Sequence, residues 1–278
     1  SASSLVALSG DCVSTLIGHE AYVNAVSVSP NGLMIASASF DATVKLWSTV
    51  DFSCIATLRG HDGSVVSVCF SRDCQIVASG DYNVIKIWST SNYTCIQTLA
   101  GHTNSVCSLC YSMDGAWLIS GSDDKKIKLW STSDYSCVAT LSGHLNHVLS
   151  VCVSPDSTMV ASGSADKNIK LWSINDRRRI ATLTGHSNWV WSVCISPDNR
   201  WLISGSTDRT IKVWSLSDKS CIQTLTGHSD SVSSVCVSPD SRYMISGSRD
   251  KAIKVWRTSD WTCVNTLTGH SGSVTSLY

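Results

Sequence analysis

Histidine, serine and aspartate recur together in this sequence of 278 residues, and side chains of these types can carry out hydrolytic chemistry. One such set is His144, Ser162 or Ser164, and Asp166. Many hydrolases use a serine nucleophile, a histidine base and a carboxylate that orients the histidine. The spacing therefore raises two hypotheses, a catalytic triad and a structural network of hydrogen bonds.

Repetition of this set along the chain separates the two hypotheses. An enzyme needs one such site, with an oxyanion hole and a substrate cleft beside it. A fold made of copies of one unit needs the same stabilising contact in every copy. We therefore favour the structural role and expect no enzymatic activity. The aspartates in matching register are Asp41, Asp124, Asp166, Asp208 and Asp250, with an altered form at Asp81.

The 13 cysteines also follow a repeated pattern. Equivalent positions in successive repeats lie too far apart for the Cα separation of a disulfide, about 4.4–6.8 Å. We predict small, buried, reduced side chains in a reducing compartment. Cys107 and Cys110 form a C-x-x-C pair, but on a strand this spacing directs them to opposite faces. Neither zinc nor redox chemistry, and no cofactor, is expected. The two repeated positions hold Cys12, Cys54, Cys95, Cys137, Cys221 and Cys263, and Cys69, Cys110, Cys152, Cys194 and Cys236.

Composition and charge exclude several classes of partner. Lys plus Arg and Asp plus Glu both total 21, so the formal net charge is zero. Binding to nucleic acid needs a basic surplus or stripe, which this sequence lacks. No apolar run reaches the roughly 18 residues of a membrane-spanning helix, and no charged-then-apolar leader is visible. We expect a monomeric, cytoplasmic protein, with the nucleus as the alternative location.

An internal period organises the whole chain. Gly-His pairs recur every 42 residues, with one interval of 41, and a tryptophan series keeps the same step. Two independent landmarks that share one period indicate a repeat architecture. The histidines are His19, His61, His102, His144, His186, His228 and His270, and the tryptophans are Trp47, Trp88, Trp130, Trp172, Trp214 and Trp256.

Within one period, four short runs bounded by turn residues predict four strands. In the repeat at 143–184 these runs are 147–154, 159–164, 169–173 and 179–183. Each run is apolar or small on both faces, as in a sheet covered on both sides. The pattern predicts an antiparallel meander.

A unit of about 42 residues, with Gly-His near its start and tryptophan in its third strand, resembles the WD repeat. The resemblance covers the whole chain, although serine follows the tryptophan in five repeats and Arg257 in the sixth. It implies an all-β propeller of four-stranded antiparallel blades. The second repeat is one residue short near Asp81, which predicts a tighter turn there.

The repeat count predicts a seven-bladed propeller in a single domain, 1–278. The seventh blade would be shared between 269–278 and 1–17, with Leu5 in the tryptophan position, and would close the ring. A blade of three strands, a shifted strand in the first residues, and a piece of a longer protein remain open as alternatives. The full repeats are about 18–59, 60–100, 101–142, 143–184, 185–226 and 227–268.

The resemblance also implies how the repeated polar residues are used. In each repeat the aspartate carboxylate would contact the histidine, the histidine a strand serine, and the serine the indole N–H. The expected network residues are His19, Asp41 and Trp47; His102, Asp124 and Trp130; His144, Asp166 and Trp172; His186, Asp208 and Trp214; and His228, Asp250 and Trp256.

Partner binding would then fall on positions that differ between repeats. The resemblance points to the rim of Gly-His loops and Asp-bearing turns, where most positions here are small and polar. Tryptophan, tyrosine and arginine dominate binding hot spots. Alternatively, Trp189 or Trp191 fills the central channel of the propeller or packs on a neighbouring loop. The candidate partner-binding residues are Tyr22, Asn24, Phe40, His147, Leu149, Trp189, Trp191 and Arg249.

Three functional hypotheses follow. The leading one is a non-catalytic scaffold that binds a protein or peptide within a multiprotein complex. The second is a sensor or regulatory C-terminal domain of a larger NTPase- or kinase-type signalling protein. The third is a substrate adaptor of a ubiquitin ligase, which would need several arginines on the rim, where Arg249 is the obvious one.

Overall fold

A computed structural model of the chain describes residues 12–278. The regular elements of this part are 24 β-strands in six four-stranded sheets, here called blades 1 to 6. The same range contains no apolar helix of the length needed to span a bilayer.

Each blade is an antiparallel meander whose strands pair in sequence order. Blade 1 comprises β1 (Val23–Val28), β2 (Met34–Ser39), β3 (Thr43–Ser48) and β4 (Cys54–Arg59). Blade 2 comprises β5 (Ser67–Phe70), β6 (Ile76–Gly80), β7 (Val84–Ser89) and β8 (Cys95–Ala100). Blade 3 comprises β9 (Val106–Tyr111), β10 (Trp117–Ser122), β11 (Lys126–Ser131) and β12 (Cys137–Ser142).

The second half of the chain repeats this arrangement. Blade 4 comprises β13 (Val148–Val153), β14 (Met159–Ser164), β15 (Ile169–Ser173) and β16 (Arg178–Leu183), each within one residue of the predicted bounds. Blade 5 comprises β17 (Val190–Ile195), β18 (Trp201–Ser206), β19 (Ile211–Ser215) and β20 (Cys221–Leu225). Blade 6 comprises β21 (Val232–Val237), β22 (Tyr243–Ser248), β23 (Ile253–Arg257) and β24 (Cys263–Leu267).

Apolar side chains fill the space between successive blades. Blade 5 buries Ile203 and Val213 against Val232 and Met244 of blade 6. Four further clusters of this kind join blades 1 to 5 in order. The two sheets approach each other closely at Gly205, where an added Cβ would lie 2.7 Å from Cγ1 of Val232. This spacing explains why the second strand carries glycine here.

The first strand of each blade lines the central channel and is called the inner strand. Serine hydroxyls on these inner strands link neighbouring blades around the ring. Ser150 Oγ of blade 4 accepts from the backbone N–H of Val193 in blade 5, at 3.1 Å. Ser234 Oγ of blade 6 accepts from the N–H of Leu277 at 2.9 Å, and Ser276 Oγ from the N–H of Val26 at 3.2 Å. The segment 273–278 therefore lies between blade 6 and blade 1 and closes the circle.

The prediction of seven blades was wrong for residues 12–278, which form six four-stranded sheets. Residues 12–17, predicted as the last strand of the seventh blade, form no strand, and Leu5 lies outside the described residues. The segment 273–278 takes an inner-strand position without forming a sheet. Its hydrogen bonds go to serines and backbone groups of blades 6 and 1 instead of to a second strand.

The junction between blades 6 and 1 is therefore less well packed than the others. Ile245 and Val26 are partly exposed there. Their counterparts at the junctions of blades 5 and 6 and of blades 4 and 5, Ile203 and Val193, are buried at 0% and 5% exposure. The short segment 273–278 covers only the inner part of the two facing sheets.

All 13 cysteines are free, but the prediction that they are buried was wrong for one of the two repeated positions, which is exposed. The other position is buried at Cys69 and half-buried at Cys110, Cys152, Cys194 and Cys236. The outer strand of each blade has no neighbouring strand on one side, so this position reaches solvent. Cys107 and Cys110, expected on opposite faces, both line the central channel. The pairing register of β9 shifts next to Cys107, and this bulge changes the direction of its side chain. The exposed cysteines are Cys12, Cys54, Cys95, Cys137, Cys221 and Cys263.

Candidate functional site

Blade 4 shows the polar network in full. His144 lies between two partners: its Nδ1 is 2.8 Å from Asp166 Oδ2, and its Nε2 is 2.8 Å from Ser162 Oγ. The indole Nε1–H of Trp172 donates to the same Ser162 Oγ at 2.8 Å. The network thus joins a Gly-His loop, a turn and two strands.

The same three contacts occur in all six blades, with distances between 2.6 and 2.9 Å. Blade 2 is included, through His61, Asp81, Ser79 and Trp88, although its repeat is one residue shorter. The other histidines are His19, His102, His186 and His228, with Asp41, Asp124, Asp208 and Asp250, and the indoles of Trp47, Trp130, Trp214 and Trp256.

The aspartates of the network are held in their charged form. Burial alone would raise the pKa of Asp166, but hydrogen bonds from His144 and from the backbone N–H groups of Leu145 and Asn168 outweigh it. The pKa of Asp166 therefore lies well below its usual range. One carboxylate joins the loop after His144 to the turn between β14 and β15.

Two of the histidines, and the serines bonded to them, have fixed donor and acceptor roles. Burial lowers the pKa of His102 and His228 despite the neighbouring aspartates, so both imidazoles stay neutral. A neutral ring that donates from Nδ1 to a carboxylate must accept at Nε2, so the serine O–H donates to it. Ser120, the serine bonded to His102, is fully buried and also accepts the indole N–H of Trp130. Its oxygen is not accessible to a substrate.

The loops that carry these networks form one rim of the disc. This upper rim consists of the Gly-His loops and the Asp-bearing turns, and the lower rim consists of the other turns. In the first strand of five blades the second residue forms a bulge, as Trp191 does between Val190 and Ser192 in β17. An extra residue at a bulge changes where its side chain points. The bulged residues are Asn24, Cys107, Leu149, Trp191 and Ser233.

Trp189 and Trp191 form an aromatic pair on the upper rim of blade 5. Their ring centroids are 5.7 Å apart, and Trp189 is 41% exposed. Trp191 is half-buried, lines the channel, and donates from Nε1 to Thr207 Oγ1 at 2.7 Å. The guanidinium of Arg249, from blade 6, lies over the Trp191 ring at 5.2 Å. One indole is thus anchored and the other is available to a partner.

His147 and Leu149 occupy the adjacent blade, and both are half-buried. His147 Nδ1 lies 3.1 Å from Asp123 Oδ1, which also accepts from the Cys107 thiol at 3.1 Å. Burial, together with the Asp123 charge, raises the pKa of Cys107 well above its usual range, so the thiol remains protonated. Within residues 12–278, no group of three or more His, Cys, Asp or Glu side chains is placed to hold a metal ion.

A second aromatic pair lies on blade 1. Tyr22 and Phe40 pack edge to face with ring centroids 6.4 Å apart, and both are exposed. Asn24 instead donates from Nδ2 to the backbone oxygen of Val65, so its amide links blade 1 to blade 2. The eight candidate residues are therefore spread over blades 1, 4, 5 and 6.

Two features of this rim were not predicted from the sequence. Leu145, which follows the histidine of blade 4, is 80% exposed. Four exposed basic residues follow the network aspartate in blades 3 to 6, each with a left-handed backbone. Comparing that position between repeats would have found them. They are Lys125, Lys167, Arg209 and Lys251.

The WD40 family model (WD domain, G-beta repeat) matches residues 10–48, 52–89, 93–131, 135–173, 177–215 and 219–257. The chain belongs to the WD40 repeat family. This WD40 chain is also similar to the "Ribosome biogenesis protein WDR12 homolog" of Drosophila sechellia, with 55% identity over 38 residues. The same-named protein of Drosophila erecta is 53% identical over 38 residues. Each match covers 14% of this chain and 9% of the relative.

Proposed function

We propose that this WD40 chain is a non-catalytic scaffold that binds a protein or peptide on its upper rim. The binding surface is centred on Trp189 and Trp191. The observation that carries the proposal is an indole pair on a rim whose matching positions are mostly small and polar. Large aromatic side chains that are partly exposed are typical anchors of protein interfaces.

The polar networks support the non-catalytic part of this proposal. The hydroxyl of Ser162 is buried and bonded on both sides, and equivalent serines recur in every blade. A hydrolase needs a nucleophile that the substrate can reach. Six serines that a substrate cannot reach are consistent with a stabilising role.

The setting of the scaffold is also a proposal. Thirteen free thiols fit a reducing compartment, which is the cytoplasm or the nucleus. The 38-residue similarity to ribosome biogenesis proteins has about the length of one repeat. It supports a place in a multiprotein complex, with the nucleus as one location.

Affinity capture with three variants tests the rim. Trp189→Ala removes the exposed indole, and Trp189→Ala with Trp191→Ala removes the pair. The control is Trp201→Ala in the same blade, since Trp201 lies on the lower rim and packs against Trp261 at 5.3 Å. Circular dichroism checks that each variant is folded.

Proteins retained from cell extract are quantified for each variant by mass spectrometry. We expect a set of proteins that the wild type and Trp201→Ala retain and that both Trp189 variants lose. Equal retention by all four proteins would contradict the proposed site.

A further inference from the structure

Unpaired cations share the upper rim of blades 5 and 6 with the tryptophan pair. Arg249 is exposed and lies over Trp191, and no carboxylate of residues 12–278 forms an ion pair with it. Arg209 and Lys251 are exposed at the turn positions after Asp208 and Asp250, with φ of 68° and 71°. These three cations form a basic group beside the indoles.

The nearby carboxylates do not satisfy these cations. Asp208 accepts from His186 and from the backbone N–H groups of Ser187 and Thr210. Asp250 is bonded in the same way to His228 and to two backbone N–H groups. Asp230 is the one exposed carboxylate on the Gly-His loops of these two blades, and it accepts from the Ser231 N–H at 2.6 Å. Three cations thus face one free carboxylate.

An apolar surface adjoins this basic group on the other side. Leu145 of blade 4 is 80% exposed, and Trp189 of blade 5 is 41% exposed. Over blades 1 and 2, Glu20 and Asp62 are exposed on the upper rim, and no basic residue follows the network aspartate. The turn positions of the upper rim are therefore basic over blades 3 to 6 and not over blades 1 and 2.

Arg249 is well placed to bind an anion. Its guanidinium carbon lies over the Trp191 ring at 5.2 Å from the ring centroid, and no ion pair within residues 12–278 uses its N–H groups. A guanidinium presents these donors in a planar fork that matches a carboxylate. A cation–π contact of this kind restricts the side chain beforehand, so less conformational entropy is lost when the carboxylate binds.

We infer, resting on the function proposed above, that the partner segment is an acidic peptide with an apolar anchor residue. The anchor packs against Trp189 and Leu145, and the acidic side chains bind Arg249, Arg209 and Lys251. A basic segment is repelled by the same three cations. The polarity of the rim also gives the peptide a direction, with its acidic part over blades 5 and 6.

Selection from a phage-displayed library of random dodecapeptides tests this inference on the intact chain. We expect the enriched peptides to carry a net negative charge and at least one large apolar residue. Enriched peptides that are neutral or basic on average would overturn the inference. If such peptides still require Trp189, the proposed function stands. If enrichment occurs but never depends on Trp189, the proposed site is wrong as well.

Titration of the strongest acidic peptide, labelled with fluorescein, then tests the cations. Arg249→Glu is compared with Arg242→Glu, which makes the same charge change on the lower rim of the same blade, where Arg242 pairs with Asp240 at 3.9 Å. We expect Arg249→Glu to weaken binding by about 10-fold or more, since like charges in an interface repel strongly. Arg242→Glu should change binding by less than about 2-fold, because it is a distant, screened charge. Equal affinity for both variants would overturn the role of Arg249.

Discussion

Replacing Ser162 by alanine isolates the energetic value of the polar network. The substitution removes one oxygen from a fully buried position and leaves the strand geometry unchanged. That oxygen accepts the Trp172 indole N–H and contacts His144 Nε2, both at 2.8 Å. Both partners are buried, so neither can find water as a replacement.

The expected loss follows from these two orphaned groups. A buried polar group left without its hydrogen bond costs about 1–3 kcal/mol, so Ser162→Ala should lower the free energy of unfolding by about 2–6 kcal/mol. This is a large fraction of the total stability of a typical domain, about 5–15 kcal/mol. Ser173→Ala is the control in the same blade. The Ser173 hydroxyl bonds only to the exposed Asp176, so its loss should lower the free energy of unfolding by less than about 1 kcal/mol.

Urea unfolding, followed by tryptophan fluorescence and circular dichroism, measures both variants. A shift in midpoint without a change in slope reports stability alone. Repeating Ser162→Ala in a Trp172→Phe background tests whether the two residues act together. We expect the cost of Ser162→Ala to fall there by about 0.5–3 kcal/mol, because the indole N–H is already gone. The network argument is refuted if Ser162→Ala costs no more than Ser173→Ala and the two substitutions are additive.

Further outcomes follow from titration, close packing and thiol exposure. Burial lowers the pKa of His102 and His228, so the unfolded chain binds more protons than the folded one below their ordinary value of 6.5. The free energy of unfolding, measured by urea titration, should therefore fall as the pH drops from 7 to 5, and a flat profile would be inconsistent with neutral buried imidazoles. Gly163→Ala places a Cβ 2.8 Å from Val190 Cγ1 and should cost about 1–3 kcal/mol in thermal unfolding, whereas Gly272→Ala, with no atom within 4 Å, should change little. In the native protein a thiol reagent should modify the six exposed cysteines quickly and the other seven, which are buried or half-buried, more slowly; equal rates for all 13 would contradict this difference in exposure. The six are Cys12, Cys54, Cys95, Cys137, Cys221 and Cys263.

Local pattern was sufficient to predict much of this architecture. The strand bounds of blade 4 and the resemblance to WD repeats both agree with the structure and the family match. These features depend on turn residues and on a period, which are visible within any one repeat. The spacing of histidine, serine, aspartate and tryptophan likewise reflects contacts within one blade.

Features that depend on long-range packing were not predictable in the same way. Alternating apolar residues do not tell which strand lies outermost, so the exposed cysteines of the fourth strands were placed inside. The bulge at Cys107 depends on how β9 pairs with β10, and it altered the direction of that side chain. The closure of the ring depends on contacts between residues more than 200 positions apart, such as Thr275 and Val23.

The tryptophan pair and its cations were only partly predictable from the sequence. Their types and positions are visible in the sequence, and Arg249 stands out before its aspartate. Its position over the Trp191 ring is a contact between two blades, so only the folded ring brings the two residues together.

The junction between blades 6 and 1 makes the ring mechanically unequal around its circumference. Within residues 12–278, five junctions are held by broad layers of interlocked apolar side chains, whereas this one is held by a six-residue segment and a few hydroxyl contacts. Local opening of the ring would begin at this junction, because separating blades 6 and 1 exposes less buried surface than separating any other pair of neighbouring blades. The basic side chains of blade 6 lie on one side of this junction. A ligand that binds only blades 5 and 6 would therefore not hold blades 6 and 1 together.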